Sequence, residues 1–245
     1  DILFGDWSSD VCSSDLAGMP LDRLFPQESK INTAQLLHQL QQGPVRNLEA
    51  EFLTGSGHKV PVMISASECR DKDDDVLGFV VVSKDITQLR DMEKRLKHLA
   101  HHDALTNLPN RLLLNDRLAQ AMARAERKKS YFALALLDLD RFKRINDVLG
   151  HNIGDLLLIE IADRLSGTVR QSDTVVRLGG DEFVLLIDDL RRPEHYEKVA
   201  QKVLACISEP CQIKSHNISV TASMGISIYP DDAESPSDLL RTADA

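Results

Sequence analysis

The sequence has little cysteine, few aromatic residues and no long hydrophobic run. None of its four cysteines forms a C-x-x-C pair or has zinc-ligand spacing, so structural zinc is not expected and a reducing compartment is favoured. Aromatic residues make up 4% of the chain. No apolar run approaches the roughly 20 residues that cross a bilayer. The sequence therefore predicts a cytoplasmic protein, and leaves membrane anchoring of a longer parent open.

The chain also lacks an excess of basic residues. It has 29 Lys and Arg against 38 Asp and Glu, a formal net charge of −9. This balance argues against binding to the phosphate backbone of DNA or RNA. A small phosphorylated ligand remains compatible, because a metal ion can lie between acidic side chains and phosphates. With 245 residues, 42% of them hydrophobic, the chain can form one large or two modest globular domains.

The two ends differ from the rest of the chain. Residues 1–16 carry a near-repeat of five residues, W-S-S-D-V followed by C-S-S-D-L, that has neither helical nor strand periodicity. This segment resembles translated read-through of a sequencing adapter, and the alternative is a native disordered tail. At the other end, residues 237–245 begin a helical pattern without a C-terminal cap. Both ends are expected to be truncated.

The first structured region carries a helical pattern followed by alternating patterns. These predict one helix and three strands, over residues 31–42, 47–52, 60–66 and 78–83. Gly55, Ser56 and Gly57 are typical of a hairpin turn. With the ending Asp85-Ile86-Thr87, this order resembles the C-terminal half of a PAS sensor domain. A partial PAS domain is therefore expected over residues 17–88.

A short amphipathic segment follows. Its apolar residues Leu89, Met92, Leu96 and Leu99 are spaced by three, four and three, the spacing of a coiled-coil seam. The seam covers fewer than two heptads, so a lone amphipathic helix is the alternative. Residues 89–101 are expected to form a helical linker, and its position between two domains favours a parallel dimer.

The next region carries the first candidate chemistry. After a helix over about 110–128, residues 131–137 form a continuous apolar run, which is typical of a central buried strand. Asp138 and Asp140 follow, with the Leu139 carbonyl between them. Oxygen ligands of this kind suit Mg²⁺ bound to phosphates. A helix N-cap is the alternative for Asp140.

Two helices are predicted after these acids. Lys143, Asn146 and Asp147 fall on one face of the first helix. Residues 150–155 are expected to break it, and the second helix continues to about residue 170. Asp155 then lies at a helix start, where an acid is often only a cap.

A diglycine hairpin carries the second candidate site. Two apolar strands flank Gly179 and Gly180, and Asp181 and Glu182 come directly after them. The simpler interpretation is a turn that prefers Gly and Asp. Against it, two adjacent carboxylates at a turn that allows close backbone approach would complete a two-metal site facing Asp138.

Several spaced motifs now identify a family. They are G-G-D-E-F at 179–183, D-x-L-T-x-L-x-N-R at 103–111, D-x-D-x-F-K-x-x-N-D at 138–147, G-H-x-x-G-D at 150–155 and R-x-G-G-D-E-F at 177–183. Together they resemble the GGDEF domain of bacterial diguanylate cyclases. The resemblance implies an α/β (α+β) domain over residues 102–245, with a central mixed sheet flanked by helices, similar to palm and nucleotide-cyclase folds.

The resemblance also implies the metal site. Two Mg²⁺ ions, with Mn²⁺ as a possible substitute, would be bound by Asp138, the Leu139 carbonyl and Asp181. Glu182 would be a companion acid required for activity.

The remaining substrate contacts are implied in the same way. Asn146 and Asp155 would bind the guanine edge, and a polar site of this kind rejects adenine. Gly179 and Gly180 would let the hairpin approach the nucleotide, and Lys143 would help to neutralise phosphate.

The implied reaction condenses two GTP molecules into cyclic di-GMP and pyrophosphate. Each domain would hold one GTP, so the active unit would be a homodimer. Arg170 and Asp173 have the R-x-x-D spacing of the family's product-inhibition site, although alone they are typical of a solvated helix end.

Two implications concern the parent protein. The basic residues and final strand expected after Ala245 are absent, and a C-terminal phosphodiesterase domain in the parent is possible. The alternative function is an inactive module that binds GTP or cyclic di-GMP to regulate a neighbouring domain.

Overall fold

The chain divides into two compact units, residues 1–95 and 96–245. The computed structural model describes residues 20–26, 29, 31–190, 192 and 196–245. The segment 1–16, interpreted above as non-native, lies outside these residues. Within them, no helix is both long enough and apolar enough to span a membrane.

The N-terminal unit is a three-stranded antiparallel meander with a helix on one side. A 3₁₀ helix spans Leu21–Leu24, and the larger elements are α1 (Thr33–Gln42), β1 (Val45–Leu53), β2 (Lys59–Arg70) and β3 (Val76–Asp85). The sheet order is β1-β2-β3. Asn32 and Gln35 form a capping box that begins α1. The apolar residues that alternate along β2 are buried at Val62, Ile64 and Ala66, which confirms the face that the sequence predicts.

Helix α2 (Thr87–His101) follows β3, and the division between the two units falls inside it. The Asp85 carboxylate accepts a hydrogen bond from the Thr87 N–H at 2.7 Å. All four seam residues are exposed, by 54% at Leu89, 56% at Met92, and 66% at both Leu96 and Leu99. The helix therefore presents an apolar stripe to its surroundings.

The C-terminal unit alternates helices and strands. In order they are α3 (Arg111–Lys128), β4 (Tyr131–Leu139), α4 (Phe142–Leu149), α5 (His151–Thr168), β5 (Thr174–Gly179), β6 (Glu182–Leu190), α6 (Tyr196–Ser208), β7 (Cys211–Ile213), β8 (His216–Ile218), β9 (Ala222–Tyr229) and α7 (Pro236–Ala243). Four strands form one sheet in the order β5-β6-β4-β9, while β7 and β8 form a separate hairpin. The α/β class expected from the sequence is confirmed.

The four-stranded sheet is antiparallel at every pairing, so the expectation of a mixed sheet is wrong. The helical crossover α4–α5 does return the chain in the same direction, and β5 runs parallel to β4. However, β6 lies between these two strands and separates them. The sequence shows that a helical crossover joins β4 to β5, which predicts that the two strands are parallel. It does not show that a third strand lies between them.

The central strand β4 is buried on both faces, as its continuous apolar run predicts. Ala133, Ala135 and Leu137 pack into the core formed with α5 and α6. Phe132 and Leu134 pack on the opposite face, in the core formed with α3 and α7. Helices cover both faces, so the strand lacks alternation until it reaches Asp138.

The break predicted over residues 150–155 is one residue long. Gly150 ends α4 and also serves as the N-cap of α5, with a φ of +85°. Its positive φ is accessible to glycine, and the chain re-enters a helix immediately. Asp155 therefore lies within α5 and is not its cap.

Candidate functional site at the β5–β6 turn

The diglycine hairpin forms as predicted, with a tight turn at its tip. Gly179 pairs with Glu182, which leaves Gly180 and Asp181 as the two turn residues. Gly179 has a φ of +143° and Gly180 a φ of +56°. A Cβ built on either glycine would meet nothing within 4 Å. Both residues thus have a positive φ, which glycine adopts without strain, and the space beside them is open.

The turn brings its acids next to the end of β4. Glu182 lies directly opposite Asp138 in the antiparallel pair, so both side chains are on the same face of the sheet. The Leu139 N–H donates to the Asp181 carbonyl at 3.4 Å. Burial, together with the charges of Asp181 and Asp140, raises the pKa of the Asp138 carboxyl above its ordinary value.

No cationic side chain in the described part of the chain pairs with these carboxylates. The side chains of Asp138, Asp181 and Glu182 have no hydrogen-bond or ion-pair partner among the described residues. Repulsion between Asp138 and its acidic neighbours is relieved by a positive ion. Among the described residues, however, no three His, Cys, Asp or Glu side chains converge into a ready-made metal cage. This donor set fits Mg²⁺, which retains waters and phosphate ligands beside one or two carboxylates.

Asp140 is held differently from Asp138. Thr221 and Ser223 donate hydrogen bonds to its carboxylate, and these lower its pKa. The residue is not a helix cap, since the N-cap of α4 is Arg141 without a side-chain cap bond. An open cavity of about 810 Å³ lies beside both acids, lined also by Arg141 and Arg144.

Asn146 carries an unpartnered polar atom. Its Oδ1 is buried and accepts no hydrogen bond from any residue that the structure describes. A Cβ built on Gly154 would lie 1.9 Å from this oxygen and 3.2 Å from the Phe142 ring. Glycine at position 154 is therefore what admits the Asn146 side chain between α4 and α5. A buried acceptor without a donor is costly, and a ligand N–H would satisfy it.

Lys143 and Asp155 lie near Asn146 along the chain, on α4 and α5. Both side chains are exposed, and neither has a partner within the described residues. The structure thus places Asn146, Lys143 and Asp155 on the helix pair, and Asp138, Asp181 and Glu182 at the strand ends. The β4–α4 turn, residues 140 and 141, joins the two groups.

Arg177 ties the hairpin to a distant motif, a contact that the sequence analysis did not predict. Its guanidinium donates to the Gly180 carbonyl at 2.7 and 3.2 Å and to the Asp103 carboxylate at 2.7 Å. Asp103 also accepts from the N–H and hydroxyl of Thr106. Burial opposes ionisation of Asp103, but the hydrogen bonds from Thr106 and Arg177 outweigh it and lower the pKa. The sequence signal that could have predicted this contact is one residue of opposite charge in each motif, the Arg of R-x-G-G-D-E-F and the Asp of D-x-L-T.

Arg170 and Asp173 lie in the turn between α5 and β5. The Asp173 carboxylate accepts from the backbone N–H of Arg170 at 3.1 Å and of Asp188 at 3.3 Å. The Arg170 side chain is exposed and has no partner among the described residues. Asp173 therefore stabilises this turn, while the Arg170 guanidinium is available to a ligand.

Comparison with known families assigns both units. Residues 100–245, more than half of the chain, match the family "Diguanylate cyclase, GGDEF domain". Residues 4–88 match the PAS domain family.

Two curated relatives come from Pseudomonas aeruginosa. The bifunctional diguanylate cyclase/cyclic di-GMP phosphodiesterase MucR is 49% identical over 159 residues, which cover 65% of this chain and 23% of MucR. The diguanylate cyclase TpbB is 40% identical over 158 residues, which cover 64% of this chain and 36% of TpbB. The chain thus spans about a quarter to a third of these relatives.

A solved structure supports the same assignment. The crystal structure of the coiled coil and GGDEF domain of DgcB from Caulobacter crescentus, in complex with c-di-GMP, has a TM-score of 0.58 and 26% identity. The match covers 65% of this chain and 84% of that one.

Proposed function

The chain belongs to the diguanylate cyclase GGDEF domain family, and from this premise we propose that it condenses two GTP molecules into cyclic di-GMP and pyrophosphate. The observation that carries the proposal is the group of acids at the hairpin turn. Asp138 has a raised pKa beside Asp181 and Asp140, and Glu182 lies opposite it. Such a group needs a cation, and a nucleoside triphosphate with its metal supplies one.

Asp138, the Leu139 carbonyl and Asp181 would hold Mg²⁺, or Mn²⁺ in its place. When bound, the metal neutralises charge on the phosphates and polarises the α-phosphorus towards attack. Glu182, exposed beside Asp138, would accept the proton of the attacking hydroxyl. The backbone turn at Gly179 and Gly180 leaves open space in which a phosphate can approach.

The base would be bound on the other side of the β4–α4 turn. The buried Oδ1 of Asn146 is an acceptor, and the Asp155 carboxylate supplies further acceptors nearby on α5. Guanine presents two adjacent donors on its Watson–Crick edge, N1–H and the 2-amino group. Adenine has an acceptor at N1 and no 2-amino group, so it would leave at least one of these acceptors unpaired. Lys143, with Arg141 and Arg144 at the cavity, adds positive charge for the phosphates.

The reaction joins two nucleotides. The 3′-hydroxyl oxygen of one GTP attacks the α-phosphorus of the other, and the bond to pyrophosphate breaks. In a second transfer, in the opposite direction, the remaining 3′-hydroxyl attacks the other α-phosphorus, which closes the ring and releases a second pyrophosphate. Each domain would hold one GTP, so two copies of the chain must face each other, and positioning supplies much of the acceleration.

Regulation is proposed at two places. The PAS-like unit would act as the sensor, with α2 between it and the cyclase unit. Cyclic di-GMP would also restrain the enzyme by binding Arg170 and Asp173, where the exposed guanidinium can engage guanine or phosphate. The free thiols of Cys69, Cys206 and Cys211 agree with a cytoplasmic location.

The experiment that tests the function is product analysis. The chain is incubated with GTP and Mg²⁺, and mass spectrometry detects cyclic di-GMP and pyrophosphate. Asp181→Ala is the matched control, since the change is at a turn and should leave the fold intact. Product with the wild-type chain alone supports the proposal. GTP binding without product from any variant would instead support a regulatory module that binds nucleotide without turnover.

A further inference from the structure

Asp140 follows β4 and begins the turn before α4, and it forms three hydrogen bonds with the first residues of β9 and the residue before them. The hydroxyls of Thr221 and Ser223 donate to its two carboxylate oxygens, the latter at 2.8 Å. Its own N–H donates to the Thr221 carbonyl at 2.8 Å. Both oxygens of this carboxylate are thus engaged by the start of β9.

Asp138 is in the opposite situation, although it lies only two residues away. Its carboxylate has no donor among the described residues, and the acid Glu182 lies directly opposite it in β6. In contrast, each oxygen of the Asp140 carboxylate accepts a hydrogen bond from a hydroxyl. One acid of the D-x-D motif is therefore left for a cation, and the other is satisfied within the protein.

The backbone at this point needs support. Arg141, the next residue, has a φ of +59°, a left-handed conformation that is unfavourable for a residue with a Cβ. On the other side of the strand, the Leu139 N–H donates to the Asp181 carbonyl. The Leu139 carbonyl, one of the proposed metal ligands, lies between these two attachments. Asp140 and β9 supply one of them.

We propose that Asp140 is a positioning residue, which Thr221 and Ser223 hold in place so that the Leu139 carbonyl and the Asp138 carboxylate present a fixed geometry to the metal. Asp140 is not itself a metal ligand. The inference rests on the proposed function, because it concerns the metal of that same site. Partners that orient metal ligands without touching the metal typically change its affinity by about 10- to 100-fold.

The test removes the two donors and keeps the acid. The double variant Thr221→Val, Ser223→Ala is compared with Thr174→Val, which removes a hydroxyl in β5 that has no hydrogen bond within the described residues. Thr221→Ser retains the donor and is the rescue variant. Binding of Mn²⁺ is measured by electron paramagnetic resonance, alone and with α,β-methylene-GTP, which cannot release pyrophosphate. Thermal unfolding checks that each variant folds.

We expect the double variant to bind Mn²⁺ at least about tenfold more weakly, with Thr221→Ser and Thr174→Val unchanged. The Mg²⁺ concentration for half-maximal turnover should rise, while the KM for GTP at saturating Mg²⁺ stays constant. If Asp140 were a ligand, freeing its carboxylate would leave Mn²⁺ binding unchanged or strengthen it, and the proposal would be overturned. Failure of the wild-type chain to bind Mn²⁺ would overturn it equally.

The two proposals can fail separately. A wild-type chain that makes no cyclic di-GMP contradicts the proposed function, while the Mn²⁺ measurements still decide the positioning of the site by Asp140. If the wild-type chain turns over GTP but the double variant at Thr221 and Ser223 binds Mn²⁺ as tightly as the wild type, only the positioning role of Asp140 is contradicted.

Discussion

At the residue scale, the site brings negatively charged side chains close together, and they repel one another when no cation is bound. Asp138 illustrates this, because its pKa is raised by burial and by the charges of Asp181 and Asp140. A raised folded-state pKa means that ionised Asp138 destabilises the metal-free fold. Residues that bind a cation commonly have this property, since the arrangement that suits the ligand is unfavourable without it.

Asp138→Asn should therefore abolish turnover and stabilise the metal-free protein. We expect its melting temperature in EDTA at pH 7 to exceed that of the wild type by about 1–3 °C. The sign follows from the raised pKa. Wild-type Asp138 is fully protonated, and therefore uncharged, at low pH, and it loses this favourable form as pH rises through its folded-state pKa. The difference in melting temperature between Asp138→Asn and the wild type should therefore vanish near about pH 3. Equal melting temperatures at pH 7 would contradict the electrostatic account.

Gly154 offers a second test at this scale. In Gly154→Ala, the new Cβ would lie 1.9 Å from the Asn146 Oδ1, so the amide must move away from its position. We expect the KM for GTP to rise about tenfold or more, as loss of one buried hydrogen bond predicts. Steady-state kinetics measure this change.

The matched control is Gly167→Ala in the same helix. A Cβ there would meet nothing within 4 Å, and alanine favours the helix by about 0.5–1 kcal/mol. We expect an unchanged KM and a slightly raised melting temperature. Equal effects of the two substitutions on KM would show that helix α5, and not Asn146, determines the affinity.

At the element scale, the sequence predicts most individual helices and strands, but it predicts less well where one element ends and the next begins, and which strands are neighbours in the sheet. Periodicity predicts α3, β4 and the β5–β6 hairpin because each has a strong local signal. Position 150 is harder, since one glycine with positive φ both ends α4 and begins α5, and no pattern shows that the interruption lasts a single residue. The insertion of β6 between β4 and β5 is a long-range property that local spacing does not contain.

The candidate site shows the same limit. The sequence places acids at the ends of two apolar strands, and their pairing follows from the antiparallel hairpin. It does not show that Asp103 and Arg177 meet, since 74 positions separate them. Without the family resemblance, residue spacing also does not distinguish Asp138 from Asp140, because the hydroxyls that bind only Asp140, those of Thr221 and Ser223, are over 80 positions away in the chain.

The ion pair of Asp103 and Arg177 connects the segment after α2 to the turn that carries Asp181. Asp103→Asn should lower the stability of the C-terminal unit by about 1–3 kcal/mol at pH 7 and reduce turnover, because Arg177 also binds the Gly180 carbonyl. The pKa of Asp103 is lowered in the fold. Its contribution is present at neutral pH and is lost as pH falls through that folded-state pKa.

Thermal or urea unfolding against pH measures this contribution. The difference between wild type and Asp103→Asn should be largest at pH 7 and should shrink below about pH 4. Asp163→Asn, an exposed acid on α5 without a partner among the described residues, is the control and should show no such dependence. A difference that is constant down to pH 3 would mean that the charge of Asp103 has no part in stability.

At the scale of the whole molecule, the proposed reaction requires two copies of the chain. In the proposed reaction each cyclase unit would hold one GTP, whereas cyclic di-GMP contains two nucleotides. The exposed stripe on α2, made of Leu89, Met92, Leu96 and Leu99, is the surface whose spacing suits pairing with the same helix of a second copy. Burying this stripe in a dimer would remove apolar area from water and bring two cyclase units together.

Leu96→Lys should therefore separate the dimer and slow turnover together. Leu96 is 66% exposed, so the change costs the single chain little, but two lysines would meet across the seam. We expect monomers by analytical ultracentrifugation at concentrations where the wild type is dimeric, and specific activity that falls on dilution. Leu112→Lys, at an equally apolar position on α3 that is 51% exposed, is the control and should remain dimeric. Full activity from a monomeric Leu96→Lys would contradict the requirement for two copies, because in the proposed reaction the two GTP molecules are bound by different chains.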